Sequence, residues 1–170
     1  MTKQKTFFLA VLIPLLILLA MTIKPQATVL FGQQIVLETK AYDPTDLFRG
    51  DYVAVSFVIS DIPKSKLTLP IDKVSNKNLY VSLKQEGNYY VVDQVGENKP
   101  KQGVYLRGKF QDRYNQNGVV DEYNVDYSMD KYFLEQGSGQ DLQQESRTGG
   151  LVATVKVLSG YGVLTGVAKR

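Results

Sequence analysis

From Thr6 to Ile23 the chain reads TFFLAVLIPLLILLAMTI, with no ionised side chain until Lys24. A helix over this run would extend roughly 27 Å, close to the bilayer's hydrocarbon thickness of about 30 Å. The run therefore predicts a single transmembrane helix. Pro14 would break a helix in water, but in lipid a proline is tolerated because neighbouring groups re-satisfy the freed carbonyl. After residue 26 the pattern changes. Apolar residues alternate with polar ones or gather in short β-branched and aromatic runs, and none holds a 3.6-residue period for three turns.

The alternation predicts strands at residues 34–39, 52–59, 79–84, 89–95, 104–110, 119–127, 151–158 and 162–167. Glu86-Gly87-Asn88, Asn117-Gly118 and Ser159-Gly160-Tyr161-Gly162 have the composition of tight hairpin turns that need positive φ. Strands at this spacing without intervening helices predict a mainly β domain, either a β-sandwich or a partly open β-barrel. Two stretches fall outside the pattern. Residues 61–78, rich in proline and lysine, read either as a surface loop or as a short helical piece around Ile71 to Val74. Residues 137–150, rich in Gly, Ser, Gln and charge, read as a mobile loop before the final hairpin. The expected organisation is a cytoplasmic stub and anchor over residues 1–26 and one extracytoplasmic domain over residues 27–170.

Charge sets the expected orientation. Lys3, Lys5 and the terminal amine precede the apolar run, so the positive-inside bias puts the N-terminus in the cytoplasm and the domain on the other face of the plasma membrane. A cleaved signal peptide is the competing reading. Its apolar region is usually about 7 to 15 residues long, shorter than this run, and the sequences ending at Ala20 and Ala27 are poor cleavage sites.

Composition removes whole classes of chemistry. The chain has 20 basic and 17 acidic residues, and the basic ones are scattered among carboxylates rather than gathered into a stripe, so nucleic acid is not an expected partner. Cysteine is absent, which excludes disulfides, thiolate nucleophiles and a lipoprotein anchor. Histidine is absent too, which excludes Ser-His and Cys-His triads and the usual zinc sites. No cofactor and no metal are expected.

Tyr42 to Phe57 reads YDPTDLFRGDYVAVSF. Asp43-Pro44 has the chemistry of a turn, Gly50 permits backbone conformations closed to other residues, and Asp51 can accept hydrogen bonds from nearby amides. From Tyr52 onward the residues alternate, with Val53, Val55, Phe57 and Ile59 on the expected core face and Tyr52, Ala54, Ser56 and Val58 on the other. The segment thus reads as a loop entering a strand, and Asp43, Asp46, Arg49, Gly50, Asp51 and Tyr52 form the candidate binding site. No catalytic residue is assigned.

This segment resembles the signature of the bacterial GDYXXLXY family. Gly50-Asp51-Tyr52 matches its core, while Val55 and Phe57 stand where the family has leucine and tyrosine. Asp43-Pro44-x-Asp46-Leu47-Phe48-Arg49 is similar to the family's lead-in. Tyr132-Phe133-Leu134-Glu135-Gln136-Gly137-Ser138-Gly139 is similar to a second family segment, with Gln136 where glutamate is more usual. The resemblance implies an exported, membrane-tethered domain working with a multi-pass membrane protein. It supplies no reaction.

Other short patterns carry less. Arg49-Gly50-Asp51 spells a cell-adhesion tripeptide, but it enters a strand. Arg49-Gly50-Asp51-Tyr52-Val53 resembles a segment of type I signal peptidases, which are also anchored β proteins, yet the Ser-Met-x-Pro nucleophile segment is missing. Residues 112–121 are excluded as an EF-hand, because Arg113 falls on the first ligand position when the glycine is in place. Asp112, Asp121, Glu122 and Asp126 remain as weak metal candidates.

Tyr89, Tyr90, Tyr105, Tyr114, Tyr123, Tyr127, Tyr132 and Tyr161 could stack on glycans, although cross-strand tyrosines more often fill a β core. The leading expectation is a non-enzymatic tethered module that binds a membrane or envelope partner. The alternative is a cell-envelope hydrolase using carboxylates, in which Asp46, Asp51 and a third carboxylate would share a cavity.

Overall fold

The computed structural model describes residues 3–41, 52–67, 77–114, 120–133 and 140–170. It begins with helix α1, Lys3–Phe31, which contains both Pro14 and Pro25. Its most apolar 18-residue stretch has a mean hydropathy of 2.5, and none of that stretch is buried within the chain. By length and composition it is able to cross a membrane.

The helix runs eight residues past the end of the apolar run at Ile23, and its last turns dock on the β domain rather than serving as a linker. Thr28 is fully buried, with its hydroxyl donating to the Lys24 carbonyl at 2.9 Å. Gly32 closes the helix by donating its N–H to the Thr28 carbonyl at 2.8 Å. A Cβ on Gly32 would lie 2.3 Å from that carbonyl oxygen and 3.1 Å from the Val157 nitrogen, so the exit from the helix needs glycine for close approach.

Among the described residues eleven strands follow. Strands β1 (Gln33–Lys40), β2 (Tyr52–Ala54), β3 (Ser56–Phe57) and β4 (Asp61–Pro63) come first, with a 3-10 turn at Val58–Ser60 between the last two. A second 3-10 turn covers Lys64–Lys66. Then come β5 (Asn78–Glu86), β6 (Tyr89–Gly96), β7 (Val104–Tyr114), β8 (Val120–Asp126) and β9 (Lys131–Phe133). Helix α2 (Gln140–Thr148) precedes the final hairpin, β10 (Leu151–Leu158) and β11 (Tyr161–Lys169).

These strands make a four-stranded sheet, β11-β10-β1-β3, a five-stranded sheet, β4-β8-β7-β5-β6, and a two-stranded ribbon, β2-β9. Their inner faces carry the alternating apolar residues. Ile35 and Leu37, Leu79, Val81 and Leu83, Leu106 and Phe110, and Leu151, Ala153, Val155 and Val157 are all buried in one cluster. The sheets curl toward each other. On one side the tip of the β10-β11 hairpin bonds to the start of β7, ahead of Lys109 where its pairing with β8 begins, and the Arg107 N–H donates to the Gly160 carbonyl at 2.8 Å. On the other side β1 lies against β6, with Gln33 Nε2 3.4 Å from the Tyr90 hydroxyl. The result is a nearly closed sheet, in agreement with the expected partly open barrel.

Two hairpins have the expected turn chemistry. Gly87 adopts φ +60° between β5 and β6, and Ser159 and Gly160 adopt +50° and +82° between β10 and β11. The Asn117-Gly118 turn lies outside the described residues.

Two stretches read as loops are otherwise. Residues 140–148, expected to be part of a mobile loop, form α2. Its run of Gln, Asp, Leu, Glu and Arg has adequate helix propensity, and the helix is held by burial of Ser146 and packing of Leu142 on the core. Residues 61–63, expected to belong to a surface loop, form β4, because Ile62 is fully buried and pairs with Tyr123. The helical piece expected around Ile71 to Val74 lies outside the described residues.

Candidate functional site

Strand β2 and the residues after it alternate as expected. Val53, Val55, Phe57 and Ile59 are each no more than 3% exposed, whereas Tyr52, Ala54 and Ser56 are half-buried and Val58 is exposed. Strand β2 runs antiparallel to β9, pairing Tyr52 with Phe133, Val53 with Tyr132 and Ala54 with Lys131. Val55 N–H extends the pairing to the Asp130 carbonyl at 2.9 Å.

The ribbon ends in an aromatic pair. The rings of Tyr52 and Phe133 lie 5.9 Å apart with a tilted geometry, and Lys131 Nζ sits 5.4 Å from the Tyr52 ring centroid, within cation–π range. Phe133 is 73% exposed. Behind the ribbon, the Ser146 hydroxyl of α2 donates to the Ala54 carbonyl at 2.8 Å. That carbonyl faces away from β9, so α2 fixes the outer edge of β2, with which no strand among the described residues pairs.

Beside the ribbon, below β3 and β8, lies a cleft of about 800 Å³ lined by Lys40, Ser56, Asp61, Asn124, Asp126 and Asp130 among others. Lys40 forms an ion pair with Asp61, whose other oxygen accepts from Asn124 Nδ2 at 3.2 Å. Asp126 accepts from the Ser128 N–H at 2.6 Å. Asp61 and Asp126 are thus engaged by the protein's own donors, which suits carboxylates that shape the cleft wall. Among the described residues no group of three or more carboxylates is disposed to hold a metal ion.

The Tyr127 hydroxyl, in the wall of the same cleft, donates to the Ile59 carbonyl at 2.9 Å. Its burial pushes the phenol well above its usual pKa. A phenol that keeps its proton longer in the folded chain contributes stability that is complete below the unfolded pKa of about 10 and declines as pH rises above it. Tyr127→Phe is expected to cost about 1 to 2 kcal/mol near neutrality by leaving the Ile59 carbonyl without its donor. It should also flatten the alkaline loss of stability, as urea unfolding at pH 8 and pH 11 would show.

A family model described as GDYXXLXY protein matches residues 14–167, nearly the whole chain. The chain belongs to the GDYXXLXY family. No curated protein and no solved structure matches it.

Within the GDYXXLXY signature, Tyr52 opens β2 while Val55 and Phe57, at the leucine and second tyrosine positions, both point into the core. Among the candidate binding residues Tyr52 is described; Asp43, Asp46, Arg49, Gly50 and Asp51 lie outside the described residues. The pairing of Tyr52 with Phe133 nevertheless joins the two family segments, since residue 51 immediately precedes one partner and residue 134 immediately follows the other.

The weak metal candidates lie on the β7-β8 hairpin, with Asp112 opposite Tyr123 and Lys109 opposite Asp126. The tyrosines divide between roles. Tyr105, Tyr123 and Tyr127 are core residues, while Tyr89, Tyr90, Tyr132 and Tyr161 are half-buried. Sequence reasoning missed Lys40, Asp61 and Asn124, because no motif contains them and they meet only through pairing of β1 with β3 and of β4 with β8.

Proposed function

We propose that this GDYXXLXY protein is a single-pass module of the plasma membrane, with its N-terminus in the cytoplasm and its β domain outside. In this reading it has no catalytic role and binds a multi-pass membrane protein through residues 43–52 and the β2-β9 ribbon. The observation that carries the reading is the β2-β9 pairing, which brings both family segments to one end of one ribbon beside the exposed Phe133. Aromatic side chains, phenylalanine among them, are enriched at protein interfaces. The unburied apolar helix supports the tether.

The test is capture of the full-length tagged protein from detergent-extracted membranes after in-membrane crosslinking, comparing wild type with Phe133→Ala and Arg49→Ala. Both variants should keep the wild-type melting temperature and lose most of the crosslinked multi-pass partner. Undiminished capture by both would reject the ribbon as the interface. N-terminal sequencing of the same material should begin at residue 1 or 2, and a start after Ala20 or Ala27 would reject the uncleaved anchor.

A further inference from the structure

A second recess, of about 450 Å³, opens where α1 meets the β domain. Four cations line it: Lys24 from the helix, Lys99 from the segment after β6, and Arg107 and Lys109 from the outer face of β7. All four side chains are exposed. Among the described residues Asp126 is the one carboxylate in the lining, and it already accepts from Ser128 N–H. Among the described residues none of the four cations forms an ion pair.

Such a gathering is not forced by composition, since the chain carries nearly as many acidic as basic residues. Four like charges around one recess repel each other, and an anion placed among them turns that repulsion into attraction. Arg107 offers a planar fork suited to phosphate oxygens, and the lysines supply point charges around it.

Position identifies the source of the anion. Lys24 is the first charge after the apolar run, and its ammonium lies 4.3 Å from the Tyr161 ring centroid. The recess therefore sits level with the end of the apolar helix, where a bilayer's polar layer begins. Tyr161 and Tyr80 also line it, and tyrosines collect at that depth because one end of the ring is apolar and the other wet. We propose that this groove binds the phosphate-bearing headgroup of an anionic phospholipid whose acyl chains lie along α1. The proposal rests on the reading of α1 as a membrane anchor, and it concerns a surface other than the ribbon.

The full-length protein, purified in mild detergent, would be given equal amounts of phosphatidylglycerol and phosphatidylcholine, and retained lipid read by native mass spectrometry. Wild type should retain phosphatidylglycerol over phosphatidylcholine by about ten-fold or more. The double variant Arg107→Gln/Lys109→Gln should weaken that retention by roughly 25-fold, about five-fold for each of the two neutralised cations. Lys84→Gln/Lys169→Gln removes two exposed cations elsewhere, and it should retain the lipid as wild type does.

No preference in the wild type, or equal losses in the two double variants, would overturn the proposal. Displacement of the lipid by inorganic phosphate at the same concentration would assign the groove to a free anion and overturn it likewise. Carbonate washing of vesicles holding the same protein separates the two ideas. Release from the vesicles would overturn the anchor reading, whereas a carbonate-resistant protein without lipid preference would overturn the groove alone.

Discussion

Gly160→Val is expected to destabilise the domain by about 3 kcal/mol or more, against about 1 kcal/mol for Gly87→Val. Both glycines have positive φ, at +82° and +60°, and each substitution carries the cost of a Cβ in the left-handed region, about 1 to 2 kcal/mol. Their surroundings differ. A Cβ on Gly87 would meet nothing within 4 Å, whereas one on Gly160 would lie 2.7 Å from the Tyr105 ring.

Tyr105 cannot readily yield, because it is buried and its ring meets that of Tyr80 edge-on at 5.8 Å. Overpacking of this kind adds about 1 to 3 kcal/mol. Any shift of the hairpin tip also stretches the Arg107-to-Gly160 hydrogen bond that joins the two sheets. Urea unfolding of the full-length protein in mild detergent, followed by the sheet circular dichroism band, measures both variants. Equal losses at the two positions would mean that the hairpin tip does not seal the barrel against β7.

That sealing contact shows where reading from sequence stops. The strands themselves are legible, because Ile35 and Leu37, Leu79 through Leu83, and Leu151 through Val157 repeat at the period that one buried sheet face demands. Gly87 and Gly160 are legible as turns for the same local reason. The Leu106-Gly160 bridge joins residues 54 apart, and neither carries a local sign of the other. Strand β9 is only three residues long, so its alternation is too brief to detect. Residues 140–148 conceal their helix because a single residue, Leu142, supplies the apolar packing, while the buried face is completed by the hydroxyl of Ser146.

The length of α1 was hidden by Lys24 and Pro25, which look like the end of a span. A proline inside a helix loses one backbone hydrogen bond, and the docking of the following turn on β10 and β11 offsets that loss. The candidate site was half legible. The strand beginning at Tyr52 and its inward face follow from the residues, but β9 as its partner, the backing by α2 and the Lys40-Asp61-Asn124 cluster arise from pairings between distant segments.

The two faces of β2 make the final prediction, because adjacent residues should answer to different measurements. Val53 is fully buried, so Val53→Asp places a carboxyl in the core and should cost about 4 kcal/mol or more at neutral pH. The deficit should depend on pH in a defined direction. Burial raises the pKa of that carboxyl above the unfolded value of about 3.9, so the folded variant binds more protons than the unfolded one. Measured against wild type at each pH, the deficit should be smallest at and below about pH 4. It should grow as pH rises, until the folded carboxyl has ionised. A deficit independent of pH would show that water reaches position 53 and that the core face of the motif is open. Tyr52→Ala, one residue earlier on the half-buried face, should cost about 1 kcal/mol at most, since its ring rests on Phe133 and Lys131 at the end of the ribbon rather than within the core. In the crosslinking capture it should nonetheless lose the membrane partner as Phe133→Ala does. A Tyr52→Ala protein that unfolds with Val53→Asp would make this end of the ribbon structural, and the interface would then have to lie elsewhere.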